Sequence, residues 1–377
     1  MAQEIERRFL LEAEPQWLAG RRLVSVGGGL EARIEVHEGD LDPILATVAF
    51  PSERESREFV PPGWLGREVT GESPKGKATA YRFKRRERID DGIRRIAAGR
   101  AGHALGELAG ARADAGLAEA IHTARKDTKK LRAVLRLVRG PLGKKAFRAE
   151  NHRYRDAARL LSRSRDAEVK LETLAALRER FGTELPAEPT RAWGAALEAE
   201  RDEAVGAGEG EAGERIGQAR ALIEAGRERI RAWPLDGDGW ELIGPGLVRG
   251  YRQGRRQMKL TRKDPDPEQV HRWRKRVKDL WYQLRLVHKA APQPLGETAE
   301  RAHKLADLLG EHHDLALLAE DLCGRDGLAQ REHLAALIER RQGELLEVAL
   351  GIGERLFAEK PKAFGARIEG HWVAWRE

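Results

Sequence analysis

Two stretches of the chain carry histidine, arginine and lysine at matched spacing, and these residues define the chemistry available to it. Ile121 to Arg139 and Val270 to His288 agree at nine of nineteen positions when superposed, including His122 with His271, Arg125 with Arg274, Lys126 with Lys275, Lys129 with Lys278 and Arg136 with Arg285. The first stretch holds seven Lys/Arg and one Asp (+6) and the second six Lys/Arg and one Asp (+5), against +8 for all 377 residues. The other 339 residues therefore sum to −3. Cations gathered in this way form an electrostatic binding surface rather than a general solubility device. Arginine forks take phosphate oxygens in pairs and lysine acts as a point charge, so the implied chemistry is anion binding. A single basic helix is most simply a solvated face. One whose histidine, arginine and lysine positions recur at matched spacing points to a ligand.

Both stretches read as helices. Ile121, Ala124, Thr128, Leu131, Leu135 and Val138 form one mostly apolar stripe, and Val270, Trp273, Val277, Leu280, Leu284 and Val287 form its counterpart. Beside these core faces run His122, Arg125, Lys129, Arg132 and Arg136, and in the second copy His271, Arg274, Lys278 and Arg285. Each row extends about 21 Å at 1.5 Å per residue, a length suited to a linear polyanion. The histidines lie near the helix starts, where free N–H groups favour anions. A protonated imidazole would add charge there below about pH 6.5, or the ring would cap its helix or bond a neighbouring one.

The whole chain, 41% hydrophobic, has room for two or three domains with real cores. No run approaches the roughly 18 apolar residues of a membrane span, and MAQEIERRFLL lacks the apolar segment of a secretory signal. The expectation is a cytoplasmic protein with no membrane partner. The single cysteine, Cys323, excludes an internal disulfide framework and reads as a small buried hydrophobe.

Residues 1 to 80 differ in kind from the rest. Glu4 to Leu10, Arg22 to Val26, Leu30 to Val36 and Ile44 to Phe50 have strand patterns, Ser52 to Phe59 a short helix, and Gly71 to Gly76 a linker. Beyond residue 90, abundant Ala, Leu, Arg and Glu predict helices over 92–108, 117–139, 143–162, 166–180, 191–205 and 214–233. After a break at Leu235 to Trp240, further helices are predicted over 245–260, 266–290, 295–309, 314–323, 330–348 and 351–359. Leu160 to Asp166 (LLSRSRD) parallels Leu308 to Asp314 (LLGEHHD). Two helical halves, 81–235 and 236–377, would then pack about a pseudo-twofold axis that brings both basic helices to one surface.

A histidine three residues before an arginine and seven before a lysine, duplicated in tandem helical halves and followed by LL-x-x-x-x-D, resembles the CHAD domain (conserved histidine α-helical domain) over roughly residues 81 to 377. The resemblance implies a mainly α fold of tandem, pseudo-twofold-related four-helix bundles with a small α+β segment ahead of them. It also implies binding of inorganic polyphosphate and association with polyphosphate granules. The carry-over falls on His122, Arg125, Lys126, Lys129, Arg132 and Arg136, and on His271, Arg274, Lys275, Lys278 and Arg285. Arg94, Arg100, Arg249, Arg252, Arg255 and Arg256 on the preceding helices are further candidates.

Glu4-x-Glu6-x-Arg8, with Arg33 to Asp40, Ala46 to Ser52 and Trp64 to Gly71, resembles the CYTH superfamily of triphosphate-processing enzymes. There, glutamates hold a divalent ion, Mg or Mn, inside an eight-stranded tunnel, and Glu4, Glu6 and Glu35 are the matching candidates here. Eight strands with turns need about 80 residues or more before any helix is added, which this segment barely has. Thr47-Val-Ala49 stands where an acidic pair is expected, and no alternating basic strand follows Glu6. The expectation is a shortened CYTH-like segment without catalysis and without a cofactor, with a metal-dependent triphosphatase as the competing reading. Nucleic-acid binding through the same basic rows is another; Trp273, Trp281 and Tyr282 give it no repeated stacking platform, and Trp281 is expected to be partly exposed. His303, Glu311, His312, His313 and Asp314 include metal-ligand types, but adjacent helical histidines diverge and the first half has Ser164 and Arg165 at two of these positions. Phosphate contact or polar packing is the favoured role.

Overall fold

The structure is a computed structural model that describes residues 5–11, 23–27, 30–35, 44–62, 65, 67–68, 81–110, 116–162, 166–206 and 209–377. Its contacts divide the chain into Met1–Tyr81 and Arg82–Glu377.

In the first unit, β1 (Ile5–Leu11), β2 (Leu23–Gly27), β3 (Leu30–Glu35), β4 (Ile44–Phe50), α1 (Glu53–Glu58) and β5 (Arg67–Glu68) follow in chain order. The strands form one antiparallel sheet in the order β2-β3-β4-β1-β5. Period-two alternation fixes its faces: Ala46, Val48 and Phe50 are buried with Phe9, Ala32 and Leu65, whereas Ala49 is exposed. Arg7 is paired with Val48, and its guanidinium reaches the carbonyls of Ser56 and Phe59 and the carboxylate of Glu68 at 2.6 Å. Ser52 caps α1 by accepting from the Glu55 amide. The expected strands match within one residue at each end. The expected linker Gly71 to Gly76 lies outside the described residues.

The second unit is helical. It runs α2 (Ile89–Gly110), α3 (Gly116–Leu137), the single turn α4 (Arg139–Leu142), α5 (Lys144–Leu160), α6 (Asp166–Phe181), α7 (Ala187–Gly206) and α8 (Glu209–Ile230). After the break at 231–243 come α9 (Gly244–Lys263), α10 (Pro267–Val287), α11 (Pro292–Cys323), α12 (Arg331–Leu356) and α13 (Pro361–Arg376). The chain is thus mainly α with a small N-terminal sheet. α10 starts where Asp266 accepts from the amides of Glu268 and Gln269, with Pro267 at the first helical position.

Two apolar cores hold these helices. The larger takes residues from α2, α3, α5, α8, α9, α10 and α13 with the first half of α11 (Leu295 to Leu309) and the end of α12 (Ala349 to Leu356). The smaller joins α6 and α7 (Leu174, Leu177, Phe181, Trp193, Leu197) to the second half of α11 (Leu315, Leu318, Leu322) and the start of α12. Each core therefore draws on both halves of the sequence.

Three helical expectations are corrected. Residues 295–309 and 314–323 belong to one 32-residue helix. Gly310 does not break it, because a buried face continues on both sides and the missing Cβ makes room for Arg274, whose Nη2 would lie 3.3 Å from that atom. Residues 330–348 and 351–359 likewise merge, as Ala349, Ile352 and Leu356 extend the buried stripe through Gly351. α13 was not expected; Pro361 starts it, and Phe364, Ile368 and Trp372 at four-residue spacing bury it. Cys323 is also corrected, since at the last turn of α11 it is exposed.

Candidate anion-binding site

The apolar stripes of α3 and α10 go into the larger core, with Ala124, Thr128, Leu131 and Leu135 buried on one helix and Val270, Trp273, Val277, Leu280 and Leu284 on the other. Burial of both stripes draws the two helices together. Gln283 of α10 donates to the carbonyl of Ala133 at 3.1 Å, and the Lys130 ammonium sits 5.9 Å from the centre of the Tyr282 ring. α9 closes against the end of α3 at Gly246, where an added Cβ would collide with the Leu137 carbonyl oxygen. This approach sets Arg249, one turn further on, beside Arg139.

Charged groups from the two repeats meet along this seam. Arg136 of α3 donates to Asp279 of α10 at 2.9 Å, and Arg276 lies 3.3 Å from the other oxygen of the same carboxylate. Arg132 donates to Asn151 of α5. Burial lowers the Arg132 guanidinium to about 10, helped by Arg136, Arg155 and Arg276 and opposed by Asp279. Burial likewise lowers Arg136, with Arg276 adding to the effect, and Lys275, with Arg276 and Arg132 adding to it. These groups stay protonated at neutral pH, so the seam holds cations whose mutual repulsion an anion would relieve.

At one end the seam opens into a small solvent-connected cleft. Arg136, Arg139, Arg249 and Arg276 line it, with Phe147, Gly246, Gly250, Gln253 and Gln283, and among the described residues Asp279 is the single carboxylate. Arg139 stacks over Phe147 at 5.0 Å, and Arg276 donates to Gln253.

At the other end stand the histidines. His271 and His313 stack with ring centres 4.0 Å apart. Burial first, then Lys275, Arg274 and Lys129, push His271 down to about 4. Burial, then His271, Arg274 and Lys275, push His313 down to about 3. Both rings are neutral at pH 7. For His271 the expected gain of charge below pH 6.5 is therefore corrected, because desolvation and surrounding cations disfavour the imidazolium. Nor does His271 cap its helix: Asp266 does, and His271 sits in the second turn.

The seam thus brings together Lys129, Arg132 and Arg136 with His271, Arg274, Lys275 and Arg249. His122, Arg125 and Lys126 are half-buried on α3, as is Lys278 on α10, and Arg252 and Arg256 are exposed on α9. Four expected ligands point elsewhere. Arg100 is 3% exposed and donates to Asp127, itself 2% exposed and also bonded by His103. It balances a buried carboxylate, and removing one partner of such a pair costs about 3–5 kcal/mol. Arg94 donates to the Trp233 and Leu235 carbonyls and pairs with Asp90 and Asp91. Arg255 donates to the Phe357 carbonyl. Arg285 is buried with its guanidinium 5.4 Å from the Trp281 ring centre, and Trp281 is buried rather than partly exposed.

Arg139, Arg155, Arg276 and Asp279 were not singled out from the sequence. Arg276 and Asp279 align in sequence with Asp127 and Lys130 of the first copy, so a search for matched residues passes over them; their signal is a charge exchange between repeats.

The group around Glu311 disperses. His303 lies 4.1 Å from Trp281 and near Asp307, Glu311 pairs with Arg341 at 2.6 Å, and His312 is buried. Among the described residues no three His, Cys, Asp or Glu side chains gather into a metal-ligand set. Glu4, and the side chains of Glu6 and Glu35, lie outside the described residues, as do Ser164 and Arg165. Among the described residues no helix is long and apolar enough to cross a membrane.

Comparison with known proteins adds two likenesses. Residues 95–322, which include α3 and α10, match the family model of the CHAD domain. A crystal structure of the CHAD domain from the plant Ricinus communis is 19% identical, covers 79% of this chain and 96% of its own, and superposes with a TM-score of 0.46. No curated protein matches the chain.

Proposed function

The chain belongs to the CHAD-domain family, and from that premise we propose that it binds inorganic polyphosphate along the seam between α3 and α10, which would also carry it to polyphosphate granules. One observation supports this above the rest. Lys129, Arg132 and Arg136 from one repeat meet His271, Arg274, Lys275 and Arg276 from the other, with Arg249 at the cleft and, among the described residues, a single carboxylate, Asp279, in its lining. A linear polyanion without bases to read needs repeated charge-assisted contacts along its length, and guanidinium forks supply them. The stacked histidines, neutral at pH 7, donate or accept hydrogen bonds without adding repulsion.

The test removes charge from both repeats at once. Arg132→Gln with Lys275→Gln should weaken long-chain polyphosphate binding by about a hundredfold or more, since hydrogen bonds to charged groups contribute about 1.5–3 kcal/mol each. Circular dichroism should show unchanged helicity. Unchanged affinity in a folded double variant would overturn the assignment. Phosphate release from tripolyphosphate with Mg or Mn would instead support the triphosphatase reading, and equal affinity for duplex DNA at physiological salt the nucleic-acid reading.

A further inference from the structure

We propose that Asp279 is a built-in competitor for ligand phosphate, so that an anion enters the cleft only if its charge and length outweigh one resident carboxylate. The inference rests on the polyphosphate reading and adds a selectivity device to it. Asp279 bridges the repeats: one oxygen accepts from Arg136 of α3 at 2.9 Å, and the other lies 3.3 Å from Arg276 of α10. A carboxylate and an edge of a phosphate each present two oxygens to guanidinium donors, so Asp279 occupies the place that a ligand phosphate between these arginines would take. It is 13% exposed, and among the described residues the rest of the charged lining consists of Arg136, Arg139, Arg249 and Arg276.

An incoming phosphate must displace Asp279 from two guanidinium groups or settle beside a like charge in a desolvated site. A short anion has few other contacts to offset that loss. A long chain also reaches Arg132, Arg274 and Lys275 along the seam and recovers it there. The first repeat has Lys130 at the matching position, so this acidic residue is a point where the copies differ rather than part of the shared pattern. If Asp279 were only a strut holding two arginines in place, its loss would weaken every ligand; a competitor's loss strengthens the short ones most.

The experiment measures tripolyphosphate and long-chain polyphosphate binding to the full chain, unsubstituted and as Asp279→Asn and Asp279→Ser. Both variants should tighten tripolyphosphate roughly tenfold or more and long chains by a smaller factor, narrowing the gap between them. Unchanged or weaker tripolyphosphate binding by a variant that melts like the parent overturns the inference. Should neither variant fold, nitrogen NMR of the unsubstituted protein decides: saturating long-chain polyphosphate should shift the guanidinium signals of Arg136 and Arg276 as they exchange Asp279 for phosphate, and unmoved signals overturn it. Failure of the unsubstituted protein to bind long chains removes the functional reading and this inference together. Intact long-chain binding with unaltered selectivity removes this inference alone.

Discussion

His271 carries the clearest consequence for pH. Its ring stacks on His313 and is surrounded by Lys129, Arg274 and Lys275, which with burial hold it at about 4 against about 6.5 in an unfolded chain. Between those values the unfolded state binds more protons than the folded one. Stability is therefore full above pH 6.5 and falls as pH drops towards 4. A bound polyanion offsets the neighbouring cations and raises both imidazoles, so binding takes up protons and strengthens as pH falls from 7 to 5. Calorimetry in buffers of different ionisation heat should register that uptake, and His271→Gln should reduce it while flattening the acid limb of the stability curve. Affinity constant across this range would count against the assignment. Residues of this kind were half legible in the sequence. The repeated His, Arg and Lys spacing marked the right helices, but spacing does not distinguish Arg132, which faces the seam, from Arg285, which turns onto Trp281. Burial decides that, and it depends on helices distant in sequence.

Glycine governs how closely the elements approach. Gly246 lets α9 rest on the Leu137 carbonyl, and no side chain can move aside to admit a methyl group there. Gly246→Ala should destabilise the fold by about 2 kcal/mol, the range for overpacking a close contact, and weaken polyphosphate binding by drawing Arg249 away from Arg139. Gly351 in α12 is the control. Nothing lies within 4 Å of a Cβ added there, so Gly351→Ala should be neutral or stabilise by up to about 1 kcal/mol through helix propensity. Equal melting of the two variants would refute the contrast. Glycine also explains where the sequence misled. Gly310 follows one predicted helix and Gly351 starts another, yet both are interior, because burial of Leu305, Leu309, Leu315 and Leu318 on one rod and of Ala349, Ile352 and Leu356 on the other outweighs a propensity loss of about 1 kcal/mol. α1 and β1 to β4 of the first unit were legible because alternation and a Ser52 cap are local signals, whereas the two-residue β5 is too short to show a period.

For the whole molecule, charge is placed rather than spread: +11 on the two repeated stretches and −3 on everything else. Binding should therefore weaken steeply with salt. Each cation engaged by a flexible single chain contributes about −0.7 to the slope of log affinity against log salt, so the Arg132→Gln, Lys275→Gln variant should lose about 1.4 from it. An identical slope would place the ligand elsewhere. The 32-residue α11 has a different kind of consequence. About 48 Å long at 1.5 Å per residue, it begins among the leucines of one apolar cluster and finishes among those of the other, carrying His313 between them. Neither cluster can melt without stripping half the partners from that shared spar, so residues 82–377 should come apart in a single concerted step, and a phosphate chain gripped midway along it would brace both ends.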